Sequence, residues 1–311
     1  MLNIMSEQIT NNILMVRPAN FSYNEETASS NAFQTKATKL SKNEVKNLAI
    51  KEFDLFVDKL RSVGVNVIVA QDSDLPEKPD AVFPNNWATY HENNIVITYP
   101  MQAKIRRLER NKDILQVVEN QFNIVQTIPL EHYENLEKYL EGTGSLIFDR
   151  PNKLIYACLS PRTDEDVLDK LCELLDYQKI VFHSVDAQGK AIYHTNVMMA
   201  LGETFVVICL DTVRDANERK KLIQIFNKTD KDIIEISLDQ MMHFAGNMLQ
   251  VKGTDANYLV MSQAAYDSLT QMQIDDIENY TEILYSDIAT IETFGGGSAR
   301  CMMAEIFLSK K

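Results

Sequence analysis

Basic residues are in deficit in this 311-residue chain, which carries 31 Lys and Arg against 44 Asp and Glu, a formal net charge of −13. Gripping a phosphate backbone needs a basic face, so composition argues against a nucleic-acid partner. Cysteine is also scarce: Cys158, Cys172, Cys209 and Cys301 lie far apart and none forms a CxxC pair. Neither a metal site nor a disulfide framework is indicated, and isolated thiols suit a reducing compartment. No apolar stretch reaches the ~20 residues of a membrane span. Met1 to Asn12 lacks the apolar core of a signal peptide. The expectation is a cytoplasmic protein, with no nucleic acid and no membrane as partner. Its length and composition are compatible with a homo-oligomer.

What is present is a chain with 45% hydrophobic residues, ample for one large core. Residues 1–11 read as a flexible N-terminus and 12–311 as a single α/β domain. Asn12 to Pro18 reads as a buried strand. The polar stretch Asn20 to Lys42 reads as a long loop, of the kind that often serves function. Val45, Leu48, Ala49, Phe53, Phe56, Leu60 and Val63 mark one helical face, with Gly64 as its stop. Further on, Met101 to Asn120 reads as a helix and Phe122 to Ile128 as a strand. The pairs Leu146–Phe148 with Leu154–Leu159, Val197–Leu201 with Thr204–Leu210, and 248–252 with 258–262 read as hairpins. Helices are expected at 163–177, 214–227 and 263–272, and strands at 179–184, 232–237 and 281–285. Polar loop, hairpin, helix and strand thus recur at a spacing of roughly 50 residues, the scale of repeated supersecondary units. Such units hide their apolar faces when arranged about an axis, and the polar loops then meet at the centre.

Those loops hold the residues with chemistry. Ile291–Phe294 reads as a β-like run ending in Gly295-Gly296-Gly297, then Ser298-Ala299-Arg300-Cys301. Glycine permits close backbone approach, and a neighbouring cation favours a thiolate. The stretch fits either a cysteine nucleophile or a glycine turn before a buried structural cysteine. A nucleophilic thiol needs a proton shuttle and an orienting carboxylate. Of the five histidines, His194 and His243 stand at the heads of successive units. Glu141 sits beside Gly142-Thr143-Gly144, suited to close contact with a ligand.

Gly295 to Met302 (GGGSARCM) resembles the cysteine motif of the guanidino-group-modifying enzymes, the pentein superfamily. Asp80-Ala81-Val82-Phe83-Pro84-Asn85-Asn86 resembles their first acidic motif. Glu141-Gly142-Thr143-Gly144 resembles their acidic-glycine motif, and His194-Thr195-Asn196 their histidine motif. The motifs stand in the family's order and cover nearly the whole chain. The resemblance implies a five-bladed α/β propeller of ββαβ units with an axial site and no cofactor. It implies Cys301 as nucleophile, His194 as general acid/base and Glu141 as its carboxylate partner. The superfamily's deiminases usually have aspartate at the position of Asn86, and its arginine deiminases also at that of Asn196. Amides offer both donor and acceptor and suit a neutral ureido group better than a guanidinium. The reading is therefore a citrulline hydrolase giving ornithine, CO2 and ammonia. An arginine or methylarginine deiminase, with Asp80 supplying the charge, is the alternative. An amidinotransferase and an inactive binding relative stand further off. Arg300 and Arg17 are candidates for the substrate's α-carboxylate. Asn20, Phe21, Asn24 and Asn31 are candidates for a lid.

Overall fold

The computed structural model of the protein describes residues 6–28, 31, 33–35 and 40–311. β1 (Asn12–Arg17) lies parallel to β2 (Asn66–Gln71), joined by the helix Lys42–Ser62. Four further sheets follow one plan: an antiparallel hairpin, a helical crossover, and a third strand parallel to the second. They are β3 (Ala88–His91), β4 (Ile95–Thr98) and β5 (Gln126–Pro129); then β6 (Ile147–Asp149), β7 (Leu154–Cys158) and β8 (Gln178–Phe182). β9 (Met199–Leu201), β10 (Phe205–Ile208) and β11 (Asp232–Glu235) come next, then β12 (Leu249–Lys252), β13 (Asn257–Ser262) and β14 (Glu282–Ser286). β15 (Ala304–Glu305) closes the circle by pairing antiparallel to β1, Leu14 opposite Ala304. The first blade is thus sewn from both ends of the chain. The five sheets make the expected five-bladed α/β propeller.

Helix Lys42–Ser62 shows how sequence sets each crossover. Ser41 accepts from the Glu44 N–H while the Glu44 carboxylate accepts from the Ser41 N–H, a reciprocal cap. Val45, Ala49, Phe53, Phe56, Val57 and Leu60 are buried along one face. Each of the larger ones is worth ~1.5–3 kcal/mol on burial. Leu48 falls outside that stripe and is exposed.

Some elements depart from expectation. Met101 to Asn120 is not one helix: a single-turn stretch, Ile105–Glu109, precedes helix Lys112–Glu119. Arg106 is drawn inward to the axis, and Asn111 starts the helix afresh by accepting from the Asp113 N–H. Residues 263–278 likewise split at Thr270, which caps the second helix. Ala289–Gly295 is helical rather than β-like, ending at Gly296 with φ +62°. β3 was not expected, because its residues are all buried and show no alternation to read. The N-terminal segment is packed from Gln8 on, since Gln8, Ile9 and Thr10 are buried and Gln8 bridges the Phe148 carbonyl and the Arg150 N–H. Residues 1–5 of the expected flexible segment lie outside the described residues. Among the described residues no helix is long and apolar enough to cross a membrane.

Candidate active site

A short turn precedes the first strand of every blade, and these turns meet at the axis. Asn86, Gly144, Asn196, Asn247 and Cys301 stand at equivalent positions, two or three residues before that strand. The turns interlock through close backbone approach and the Asn247 side chain. Gly142, at φ +44°, lies so near Asn85 that a Cβ would sit 2.2 Å from the Asn85 carbonyl oxygen. Asn247 Nδ2 donates to the Asn196 carbonyl (2.9 Å), and Asn247 Oδ1 accepts from the Arg300 N–H (3.1 Å). The turns carrying Asn86 and Cys301 also touch, so the ring is closed.

Inside the ring, His194 Nε2 is 2.8 Å from Glu141 Oε2. The other Glu141 oxygen accepts from the Gln102 N–H (3.0 Å), and Arg162 Nη1 stands 3.5 Å from Oε2. Glu141 is fully buried. Burial disfavours its charge, but Arg162, His194 and Arg106 outweigh that and hold it well below the usual carboxylate range. Burial pulls His194 down to about 4, against the raising effect of Glu141. At neutral pH an ionised Glu141 therefore faces a neutral imidazole. A carboxylate can only accept, so Nε2 carries the hydrogen and Nδ1 presents its lone pair. Nδ1 lies against Gly144, where a Cβ would come within 2.8 Å of it and within 2.3 Å of Asn86 Nδ2.

Cys301 lines the same pocket as His194, Asp80, Asn86, Arg106, Arg162 and the carbonyl-rich turn Gly295–Gly297. Its sulfur receives N–H groups from Asn196 Nδ2 (3.4 Å) and Asn247 Nδ2 (3.3 Å). It is 7% exposed, and that exposure opens on the pocket, not into closed hydrocarbon. Burial pushes the thiols of Cys158, Cys172 and Cys209, none of which lines this pocket, up to about 11. The turn Gly295–Gly297 is held from above, since Asn31 Nδ2 donates to the Gly295 and Gly296 carbonyls and the Tyr193 hydroxyl donates to Gly296.

The opposite wall is built on Arg106. Glu109 grips it with two bonds of 2.8 Å, and Arg106 Nη1 donates to Asn86 Oδ1 at 2.8 Å. Arg106 Nε also stands 3.7 Å from Asp80 Oδ2, which accepts from Asn24 Nδ2 at 2.7 Å. Burial raises Asp80, with Arg106 and Asn24 opposing. Three buried polar atoms here have no partner: Asp80 Oδ1, Asn86 Nδ2 and Asn196 Oδ1. Buried polar groups are normally paired; Asp80 and Asn86 line the pocket, and Asn196 stands beside the Cys301 sulfur. Among the described residues no cluster of His, Cys, Asp and Glu could hold a metal.

Cys301, His194, Glu141, Asp80, Asn86 and Asn196 are thus brought together. Arg300 is not: its guanidinium turns away to the Met303 carbonyl (2.8 Å) and Glu305 (2.5 Å). Arg17 ends β1 on the side toward Cys301, but its guanidinium is taken by Asp54 of helix Lys42–Ser62 at 2.7 Å and is partly exposed. Asn20 donates to the Asp74 carbonyl, and Phe21 is a core residue behind Gly295. Asn24 and Asn31 do reach the pocket, as donors to Asp80 and the glycine turn. His243 is exposed at the end of helix Leu238–Met242, because the residue equivalent to His194 in that blade is Ala245, two residues before Asn247. Arg106, Arg162 and Tyr193 went unread as site residues; the Arg106-x-x-Glu109 spacing was the available signal, and nothing around Arg162 distinguished it from a surface arginine.

The propeller and its thiol–imidazole–carboxylate pocket define the class, a pentein-superfamily hydrolase of carbon–nitrogen bonds. The chain belongs to the family described as N,N dimethylarginine dimethylhydrolase, eukaryotic, which it matches over residues 17–308. No curated protein sequence matches it significantly. Among solved structures, the product-bound N-terminal domain of ArgZ, an arginine dihydrolase from the ornithine-ammonia cycle in cyanobacteria, is similar with a TM-score of 0.73 at 17% identity, covering 96% of this chain and 98% of that one. Unliganded AgrE gives 0.73 at 16% identity over 95% of this chain and 39% of its own length. The chain likewise spans 40% of full-length ArgZ. A dimethylarginine dimethylaminohydrolase adduct with S-methyl-L-thiocitrulline gives 0.65 at 13% identity, covering 96% of this chain and all of that one (100%). At these identities the structural likenesses speak for the fold.

Proposed function

We propose that the protein hydrolyses the ureido group of citrulline to ornithine, CO2 and ammonia, with Cys301 as nucleophile. The observation that carries this is the orientation of Asn86. Arg106 can only donate, so the Asn86 atom facing it is the carbonyl oxygen. Nδ2 then lies on the side of Gly144 and the His194 imidazole, without a partner. The three unpaired atoms are one donor and two acceptors. A ureido end, with one C=O and N–H groups, satisfies all three. A guanidinium, which has only donors, would leave Asn86 Nδ2 unpaired, at a cost of ~1–3 kcal/mol.

In the reaction, Cys301 sulfur attacks the ureido carbon as His194 Nδ1 takes the thiol proton. Asn86 Nδ2 donates to the oxygen on which negative charge develops. His194 returns the proton to the terminal nitrogen, the C–N bond breaks and ammonia leaves. Water then attacks the S-carbamoyl carbon and gives its proton to His194. Cys301 departs and is reprotonated, and the ornithine carbamate breaks down to ornithine and CO2. Glu141 holds the imidazole and stabilises its charged form in both halves.

A second reading, an arginine or methylarginine deiminase, is favoured by Asp80 Oδ1, a buried carboxylate oxygen able to meet a guanidinium. Incubating the purified protein separately with citrulline, arginine and dimethylarginine, and measuring ornithine, citrulline and ammonia, distinguishes them. Ornithine is expected from citrulline. Accumulation of citrulline from either arginine, with citrulline itself untouched, overturns the ureido reading.

A further inference from the structure

Away from the axial pocket, at the far ends of β3 and β6, the hairpin turns of two neighbouring blades enclose a cavity of about 110 Å³. His91, Glu92, Arg150, Lys153 and Tyr177 line it. Arg150 is its distinctive member. It is 3% exposed, and its guanidinium lies 3.7 Å from the centre of the Phe307 ring and 5.0 Å from that of Phe148. Its backbone is pinned by Gln8, whose Oε1 accepts the Arg150 N–H. Among the described residues no carboxylate pairs with it, and Nε is buried without a hydrogen-bond partner.

The nearby carboxylates are held by neutral donors, which leave their charge in place, and they form no ion pair with Arg150. Both oxygens of Asp149 accept from Asn152 Nδ2 (2.9 and 3.0 Å). Glu92 accepts from Ser6 Oγ (2.8 Å) and from the Glu7 N–H (3.1 Å). Lys153 adds a second cation to the cavity, 4.9 Å from the Tyr177 ring centre. Aromatic rings beside a guanidinium stabilise it without supplying a counter-charge, and the neutral Tyr177 hydroxyl that Arg150 also meets supplies none either. A buried charge without a partner is costly, and such charges are met by a counter-ion. Arginine's planar fork matches an oxyanion.

We propose that this cavity is a binding site for a small oxyanion, phosphate or carboxylate, held by Arg150 and Lys153. It stands apart from the pocket at Cys301 and does not depend on which substrate that pocket takes.

The test is calorimetric titration of the whole protein with inorganic phosphate and, separately, with succinate, at ionic strength matched with potassium chloride. Saturable binding of at least one probe is expected, with affinity falling about tenfold in Lys153→Gln, an exposed position, and vanishing in Arg150→Met. Binding of phosphate alone assigns a phosphoryl ligand, and of succinate alone a carboxylate. Citrulline or arginine turnover stays as in the unaltered protein when Lys153 is changed. Absence of saturable binding by either probe, or equal binding in Lys153→Gln, overturns the site. Far-UV circular dichroism of Arg150→Met tells loss of a ligand contact from loss of fold, and Lys153→Gln decides the matter if that variant is unfolded.

Discussion

The two walls of the axial pocket differ in how completely they are satisfied. On the His194 side, Glu141 meets the imidazole, the Gln102 N–H and Arg162, so both of its oxygens are engaged. On the Asp80 side, Arg106 is tied to Glu109 and Asn86, yet Asp80 Oδ1 and Asn86 Nδ2 remain without partners. A satisfied network fixes geometry before any ligand arrives. An unsatisfied one carries a desolvation cost that a matching ligand removes. The first wall therefore has the character of machinery, and the second that of a template from which the ligand's donor and acceptor pattern can be read.

The contrast breaks most completely if the sulfur is removed. Cys301→Ala should reduce turnover at least ~10³-fold, with melting temperature little changed because the volume lost is small. Retained turnover would remove the nucleophile from the scheme. Glu141→Gln comes next. It keeps the shape of the satisfied wall but removes the charge that supports an imidazolium, and should lower kcat ~10²–10⁴-fold. The acid limb of kcat/KM tests the same wall by proton. His194 must be neutral to accept the thiol proton, and its value lies near 4, so activity should be present above that and fall as pH drops through it. A limb near 6.5, the ordinary imidazole value, would show that burial does not govern His194.

The template wall is tested by Asn86→Asp. An acid there turns the unpaired donor into an acceptor and adds charge beside Arg106. The ratio of guanidino to ureido turnover should rise ~10-fold or more, the size expected from one buried unpaired group. An unchanged ratio, measured with arginine and citrulline side by side, would mean that Asn86 does not choose the substrate.

How much of this could be read from the chain alone follows the same divide. The repeating blades were legible because helical and strand periods are local, as with the Ser41–Glu44 cap and the stripe from Val45 to Leu60. The axial residues were legible because they sit in short glycine-bearing or polar turns. Arg106, Arg162 and Tyr193 were not, since each acts through tertiary placement that no local pattern encodes. Arg300 misled for a related reason. One residue of the turn faces the axis, and in Ser298-Ala299-Arg300-Cys301 that residue is Cys301, which leaves its neighbour directed outward. His243 misled because equivalence between blades follows the axial residues Asn196 and Asn247, and the residue two before Asn247, as His194 is before Asn196, is Ala245.

Arg300 and Arg17 give the smallest expected effects on activity, and they sharpen the comparison by lying outside both walls. Arg300→Met breaks a buried pair with Glu305 next to the strand that closes the ring. It should cost ~3 kcal/mol or more of stability, because it leaves a buried carboxylate without its cation. KM for the substrate should stay within about twofold, since the guanidinium faces away from the pocket. Arg17→Gln removes a partly exposed pair with Asp54, whose contribution is screened by solvent. Its melting temperature and KM should both match those of the unaltered protein. A tenfold rise in KM in either variant, without loss of fold, would restore that arginine as a ligand for the α-carboxylate.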